Sequence, residues 1–534
     1  MSSSSVVPSL TPTTILHLPI SSICSKEAEA HYRAGLTAVQ GASWEVASTE
    51  FQKATVADPT CPEAAVQLSL ITYAFNTITE VREQYRRALS LRDAMSERDR
   101  AMLDALSPLI LSEPADRSEW ARRLDVLAER FPLDAQILYN AGRAHMMSAT
   151  SASEVEHVLD VTIRSLTIDP RYADSWQQEA QALIYLGKYD EAIAALDKCL
   201  EVAPGAADCL TERITARQAS GQCGEIAADA RRWIATVPSA YWSYVDLANA
   251  LFLEGAPTES VELALEQARN NYPGPRRDIF FTRYRIALTV LNGDLAKAEE
   301  LSQQLIELAR DSSMEFDRLN ASAFMVDLLI ETGRGEAAAK LAEQVLRRKG
   351  ALADGYWPAK DEPFLWGTLL ARDKITLSRW QTETDLWAAR VHSNFTLRQL
   401  WGYRWGPVST IRDLAQQAWS QRPNELASAS LLGERREARS QARLAEGRIA
   451  LAVGENEEAV AVLESATKNC NGIHNPLYGP RAYYWLGQAK ERVNDAAGAC
   501  AAYDAVLKIW GKAKPRSLTA DDARKRVRAL GCKR

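Results

Sequence analysis

No stretch of this 534-residue chain holds the run of about 18 apolar residues that a membrane-spanning helix needs. Positive charge is not in excess either. Lys and Arg number 63 against 69 Asp and Glu, a net charge of −6, so no broad basic field is offered to nucleic acid. The opening segment "MSSSSVVPSLTPTTILHLPISSI" lacks a basic n-region and a small-residue cleavage site. Residues 1–23 are therefore read as a flexible arm, and the expected compartment is the cytoplasm, or an extracytoplasmic one if the chain belongs to a membrane-anchored parent. Chemical signatures are missing as well. No Gly-rich phosphate loop precedes a helix, and there is no G-x-S-x-G elbow. The six histidines, His17, His31, His145, His157, His392 and His474, show no metal-ligand spacing. No enzyme activity, metal or cofactor is expected.

Eight cysteines are present, but none forms a C-x-x-C pair, which argues against zinc and thioredoxin-like chemistry. Cys209 and Cys223 fall near the starts of two antiparallel helices, roughly 20 Å apart at helical rise, too far for a bridge. Cys199–Cys209 is the candidate if a bridge forms there, and reduced thiols are favoured.

What is present is repetition. The stretch "WQQEAQALIYLGKYDEAIAALDKCLEVAP" (176–204) holds two amphipathic segments with helical spacing. Gly187 can end the first helix in the left-handed conformation, and Pro204 cannot continue the second. Such a hairpin cannot bury its apolar face alone. Pro170, Pro204 and Pro238 recur at intervals of 34 residues. Gly187, Gly221 and Gly255 recur at the turn. Ala47, Ala192, Ala298, Ala338, Ala459 and Ala499 fall where paired helices come closest. Gly35, Ala47, Phe51, Ala54 and Pro59 follow the same grammar, as do Leu486, Gly487, Ala499 and Tyr503. The chain resembles the tetratricopeptide-repeat family on these residues, with units beginning near residues 26, 61, 97, 134, 173, 207, 241, 278, 317, 440 and 480.

Between residues 350 and 433 the period fails. This stretch carries Trp357, Trp366, Trp380, Trp387, Trp401, Trp405 and Trp419, half of the chain's 14 tryptophans. Helices are expected in "PFLWGTLLARDK", "TLSRWQTETDLWAARVHSN" and "IRDLAQQAWSQ", with the rings filling a junction or lining a pocket. The segment "GYRWGP" (402–407) reads as an exposed docking loop through Tyr403, Arg404 and Trp405. The fold expected is all-α: a tetratricopeptide-repeat superhelix (an α-solenoid) in two arrays, 24–349 and 434–516, joined by this Trp-rich irregular segment. Residues 517–534 supply a capping helix and tail.

The phrases "SERDRAMLDAL", "LGKYDEAIAALDKCLEVAPGAADCL", "GQCGEIAADARRWI" and "GACAAYDAVLKIWGKAKPRSLTADDARKRVRALGC" also resemble the helical-repeat region C-terminal to the kinase domain in myxobacterial serine/threonine protein kinases. That resemblance implies a sensory or partner-binding appendage in kinase signalling. It carries no catalytic residue here, since the chain contains no V-A-I-K strand, H-R-D-L-x-x-x-N loop or D-F-G.

Stacked hairpins present their first helices to a concave groove suited to an extended peptide or a helix. By phase the groove is lined by Tyr139, Arg143, Gln177, Gln181, Tyr185, Thr211, Thr215, Asn249 and Phe252 in one array. Arg448, Arg481, Tyr484 and Gln488 line it in the other. A non-catalytic scaffold for a protein or peptide partner is the reading this supports, without nucleic acid or membrane insertion. The alternative is a sensor with a small-molecule pocket in the Trp-rich junction.

Overall fold

The structure, a computed structural model, describes residues 11–72, 77–113, 115–149, 151–310, 315–347, 361–391, 397–423, 436–470, 472–474 and 476–532. Trp357, His392 and the first ten residues lie outside them. The described residues form 27 α-helices and no strand, with only two isolated backbone bridges. The first helices of the hairpins begin at 26, 62, 97, 135, 173, 207, 241, 277, 315, 436 and 478, within a few residues of the positions set by the repeat. None of these helices is long and apolar enough to cross a membrane.

The hairpins close where the repeat grammar places small residues. Ala47, Ala192, Ala298, Ala338, Ala459 and Ala499 are all fully buried. A side chain at Gly35 would put its Cβ 2.5 Å from the Phe51 ring, and one at Gly487 would meet Tyr503 at the same distance. Glycine at the first-helix position and an aromatic on the second therefore form one interlocked pair, and close packing forbids enlarging either. At the turns, Gly187, Gly221 and Gly255 all adopt positive φ, as a left-handed helix stop requires.

The chain divides into two compact units between Ala216 and Arg217, a boundary distinct from the ends of the repeat arrays. In the first unit the earliest hairpin packs against helices more than a hundred residues later. Ile15 N–H donates to Asp169 (3.0 Å), and the Gln40 amide reaches the same carboxylate. Residues 13–18 are thus not a free arm. Thr13 pairs its backbone with Leu133 and Ala135, and Ile15 and Leu18 are buried in the core with Tyr32, Phe51, Tyr139 and Tyr172. Between the first helices lies a buried polar network. Arg98 donates to both oxygens of Asp134 (2.7 and 3.2 Å) and to Asp99 and Gln136, and Gln136 exchanges two bonds with Gln67. A buried arginine is tolerated only when paired this completely.

In the second unit the C-terminal hairpins fold back on the middle ones. The Trp510 indole donates to the Val290 carbonyl (2.9 Å), and Lys514 pairs its backbone with Gly293 and Ala296. Ala499, Tyr503, Val506 and Trp510 share one core with Ile279, Leu295, Leu301 and Leu328. The terminal helix, Leu518–Ala529, is capped by Ser517, whose side chain accepts from Ala520 N–H. Ser517 and Thr519 in turn donate to Glu331.

The described helices of the Trp-rich segment belong to this unit, and most of their tryptophan rings are buried in its cores. Its helices are Glu362–Leu370, Leu377–Val391, Leu397–Trp405 and Arg412–Ser420. Trp366, Trp380, Trp401 and Trp405 share a core with Leu319, Val326, Leu346 and Ile449. Trp387, seven residues after Trp380 on the same helix, packs into a separate cluster with Val391, Leu400 and Tyr403. Seven residues is about 10 Å of helix, enough to serve two layers from one face.

All eight cysteines are paired, as Cys24–Cys61, Cys199–Cys209, Cys223–Cys470 and Cys500–Cys532. This overturns the expectation of reduced thiols. The Cys199–Cys209 bridge across the inter-hairpin turn was legible from the sequence. The others join residues at least 32 positions apart, so only the packed hairpins reveal them.

Candidate functional site

The expected groove residues of the first unit sit on three consecutive first helices, Ala135–Ser148, Ala173–Tyr185 and Ala207–Ser220. Two of them are core. Tyr139 packs on Tyr172 with ring centroids 5.0 Å apart, and Tyr185 is buried among Met146, Val155 and Val158. The others stay partly accessible. Arg143 stacks its guanidinium on the Trp44 ring (5.8 Å), and Gln181 donates to Glu212 (3.2 Å). Gln177 is half-buried, as are Thr211 and Thr215, whose hydroxyls donate to carbonyls one turn back.

The same face carries two acids that the sequence reading passed over. Asp174 is fully buried; its Oδ1 accepts from the Trp44 indole (3.1 Å), while Oδ2 is buried without a hydrogen-bond partner. Burial, and then the nearby Asp208 carboxylate, push Asp174 well above the usual carboxylate range. Asp208 is exposed to solvent, yet the protein crowding around it, followed by Glu45, raises it too. For acids raised in this way, the folded state is favoured while they are protonated, and that advantage is lost as pH rises through the raised values. The signal lay in the repeat phase: Asp174 and Asp208 are 34 residues apart, each four positions after a repeat proline.

In the second unit the expected groove positions are filled by the chain itself. Asn249 is fully buried: its amide donates to the Cys470 carbonyl (2.6 Å), and its oxygen accepts from Ile473 N–H (3.1 Å). Phe252 lies against Gly472, where a Cβ would come within 2.9 Å of the ring. Cys470, Gly472 and Ile473 thus lie against helix Tyr241–Leu253. Asn249→Ala is expected to cost about 2–4 kcal/mol, because two buried backbone groups lose their partner. Thermal unfolding checks this, and a loss below about 0.5 kcal/mol would show that water replaces the amide.

The remaining positions of this unit are half-buried and engaged with the chain's own side chains. Arg481 pairs with Asp327 (2.6 Å) and Glu331 (2.9 Å). Arg448 stacks over Trp485 (5.0 Å), and burial, with Arg481 nearby, lowers it to about 10. Tyr484 is raised by burial and by Asp522, and hydrogen-bonds to Gln488. Beside them is a pocket of about 140 Å³, walled by Arg283, Asn320, Phe324, Asp327, Phe364 and Tyr478 among others, with no tryptophan in its lining.

The expected docking loop is not a loop. Tyr403, Arg404 and Trp405 end the helix Leu397–Trp405; Tyr403 and Trp405 are buried, and Arg404 pairs with Asp385 (2.6 Å). The two glycines that suggested a loop serve close approach instead. A Cβ at Gly402 would lie 3.1 Å from Ala442, and one at Gly406 would lie 2.7 Å from Ala445, both on helix Arg436–Val453.

Helical hairpins stacked in this manner define a helical-repeat protein. Tetratricopeptide-repeat family models match residues 173–205 and 432–514, so these two stretches are tetratricopeptide repeats. No curated protein sequence matches the chain. Among solved structures, the chain is similar to yeast Tom70 at 12% identity, covering 78% of this chain and 93% of that one, with a TM-score of 0.27. A tetratricopeptide-repeat protein from Parabacteroides merdae is 13% identical over 48% of this chain and 98% of its own, with a TM-score of 0.30. YrrB, described as a tetratricopeptide-repeat protein with an unusual peptide-binding site, is 12% identical over 42% and 94%, with a TM-score of 0.24. Likenesses at this level concern the helical-repeat architecture alone.

Proposed function

We propose that the chain is a non-catalytic protein-interaction scaffold whose first unit takes a basic segment of a partner, seating a Lys or Arg side chain against Asp174 and Asp208. One observation carries this reading: a buried carboxylate with an unpartnered oxygen lies near an accessible carboxylate, Asp174 being raised by burial and then by Asp208, and Asp208 by burial and then by Glu45. Gln177, Gln181, Thr211 and Thr215 flank the pair with polar groups able to bond a peptide backbone. The Trp44 indole bonds to Asp174, and Arg143 stacks on the Trp44 ring beside it. The test is fluorescence anisotropy with a labelled arginine-rich peptide at low salt. Asp208→Asn is expected to weaken binding at least about tenfold without lowering the melting temperature, and added salt should weaken the wild type similarly. Equal binding of a neutral peptide, or an unaffected variant, would remove the anchor.

The four disulfides support an oxidising compartment outside the cytoplasm as the working environment, because such bridges persist where thiols are not kept reduced. The second reading, ligand sensing, has the pocket of about 140 Å³ behind it, though its walls are not those of a tryptophan-lined junction. The bacterial kinase-signalling setting rests on the sequence phrases alone.

A further inference from the structure

We infer that Asp125, His145 and His157 form a binding site for a divalent transition-metal ion of the zinc class. The three residues come from successive helices of the first unit, Arg117–Arg130, Ala135–Ser148 and Ala152–Ile168. His145 Nε2 lies 2.9 Å from both carboxylate oxygens of Asp125, and His157 Nε2 lies 3.5 Å from Oδ1. The two imidazoles meet edge to face with centroids 4.6 Å apart, and all three donor atoms fall within 4.8 Å of one another. A tetrahedral zinc ion with bonds of about 2.0–2.1 Å holds its ligand atoms roughly 3.3–3.4 Å apart, and the two His–Asp separations of 2.9 and 3.5 Å lie within a few tenths of an ångström of that.

The donor set matches the ion. Two neutral imidazoles and one carboxylate suit zinc, and also nickel and copper, whereas magnesium and calcium want an oxygen cage. On binding, both rings present the Nε2 lone pair and carry their proton on Nδ1. With three protein ligands the fourth position goes to water. It opens on the side of His157, the most exposed of the three at 44% of its side chain. All three ligands stand on helices, which fixes their positions better than a loop would. A bound ion would tie three helices of two neighbouring hairpins together. The other cluster of similar composition, Cys24, Cys61 and Glu63, differs in kind, because its two sulfurs are already joined to each other. Along the chain the site was hidden. A 12-residue spacing between histidines has no meaning until two helices run antiparallel, and Asp125 arrives from the helix before.

The test is calorimetric titration of the tag-free, EDTA-treated full chain with zinc chloride. One equivalent is expected to bind, with affinity at least about tenfold weaker in His157→Ala and in Asp125→Asn. His157 is exposed, so its removal leaves the fold standing, and circular dichroism confirms that. Zinc should raise the melting temperature of the wild type and leave that of His157→Ala unmoved, since only a ligand bound to the native state stabilises it. Cobalt(II) should give the visible bands of a tetrahedral centre in the wild type alone. Equal zinc affinity in the wild type and His157→Ala, or no zinc-dependent melting shift in the wild type, would overturn the assignment.

Discussion

Trp380→Ala is expected to destabilise the second unit by about 3–5 kcal/mol, and Trp405→Ala by a similar amount. Both rings are buried, with centroids 5.3 Å apart, in the core that joins helix Glu315–Glu331 and its hairpin partner to the Trp-rich segment. Removing either opens a large cavity, because the neighbours are held on both sides. Gly402 and Gly406 bring helix Arg436–Val453 too near to leave slack, and the Trp401 indole is fastened to the Ala418 carbonyl (2.8 Å). The Arg404 guanidinium lies 5.7 Å from the Trp380 ring centroid and 5.1 Å from that of Trp405, and each substitution also forfeits this stacking. Chemical denaturation of the two variants beside the half-buried Trp419→Ala checks the order, with Trp419 expected to matter least. A cost under about 1 kcal/mol at Trp405 would mean that its helix can lift away, restoring the picture of an accessible loop.

That picture arose from a real ambiguity in the sequence. Glycine and proline around "GYRWGP" are the ordinary punctuation of a loop. Two glycines four apart, one in the helix and one just past its end, also let a second helix approach closely, and nothing local distinguishes the two. The repeat grammar was legible for the opposite reason. Gly35 with Phe51 and Gly487 with Tyr503 interlock within a single hairpin, so short-range spacing encodes them directly. Phase put Gln177, Gln181, Thr211 and Thr215 on first helices with partly accessible side chains, but it could not register the closure of the second unit, where Asn249 meets a residue 221 positions further on. A first-helix position that would face a groove in an open solenoid faces the chain's own backbone in a closed one. Burial of Tyr139 under the first hairpin has the same origin.

Closure of the second unit sets the last expectation. The Cys223–Cys470 bridge spans 247 residues, against 37 for Cys24–Cys61, 32 for Cys500–Cys532 and 10 for Cys199–Cys209. A cross-link restricts the unfolded chain more as the loop it closes grows, roughly with the logarithm of its length. Replacing both cysteines of a pair by serine should therefore cost about 5 kcal/mol at 223/470, about 4 kcal/mol at 24/61 and 500/532, and about 3 kcal/mol at 199/209. Thiol titration of the native protein should find no free cysteine, and reductant should lower the unfolding midpoint of the wild type to that of the least stable variant or below. The 223/470 variant should keep its helicity, because Asn249 still holds the Cys470 carbonyl and the Ile473 amide in place. Adding Asn249→Ala to it removes the second clasp on the same segment, and the two losses should then exceed their sum, as neighbouring contacts do. If the 223/470 variant proves no less stable than the 199/209 one, the C-terminal hairpins are held to the middle of the array by packing alone, and the bridge adds nothing to the closure.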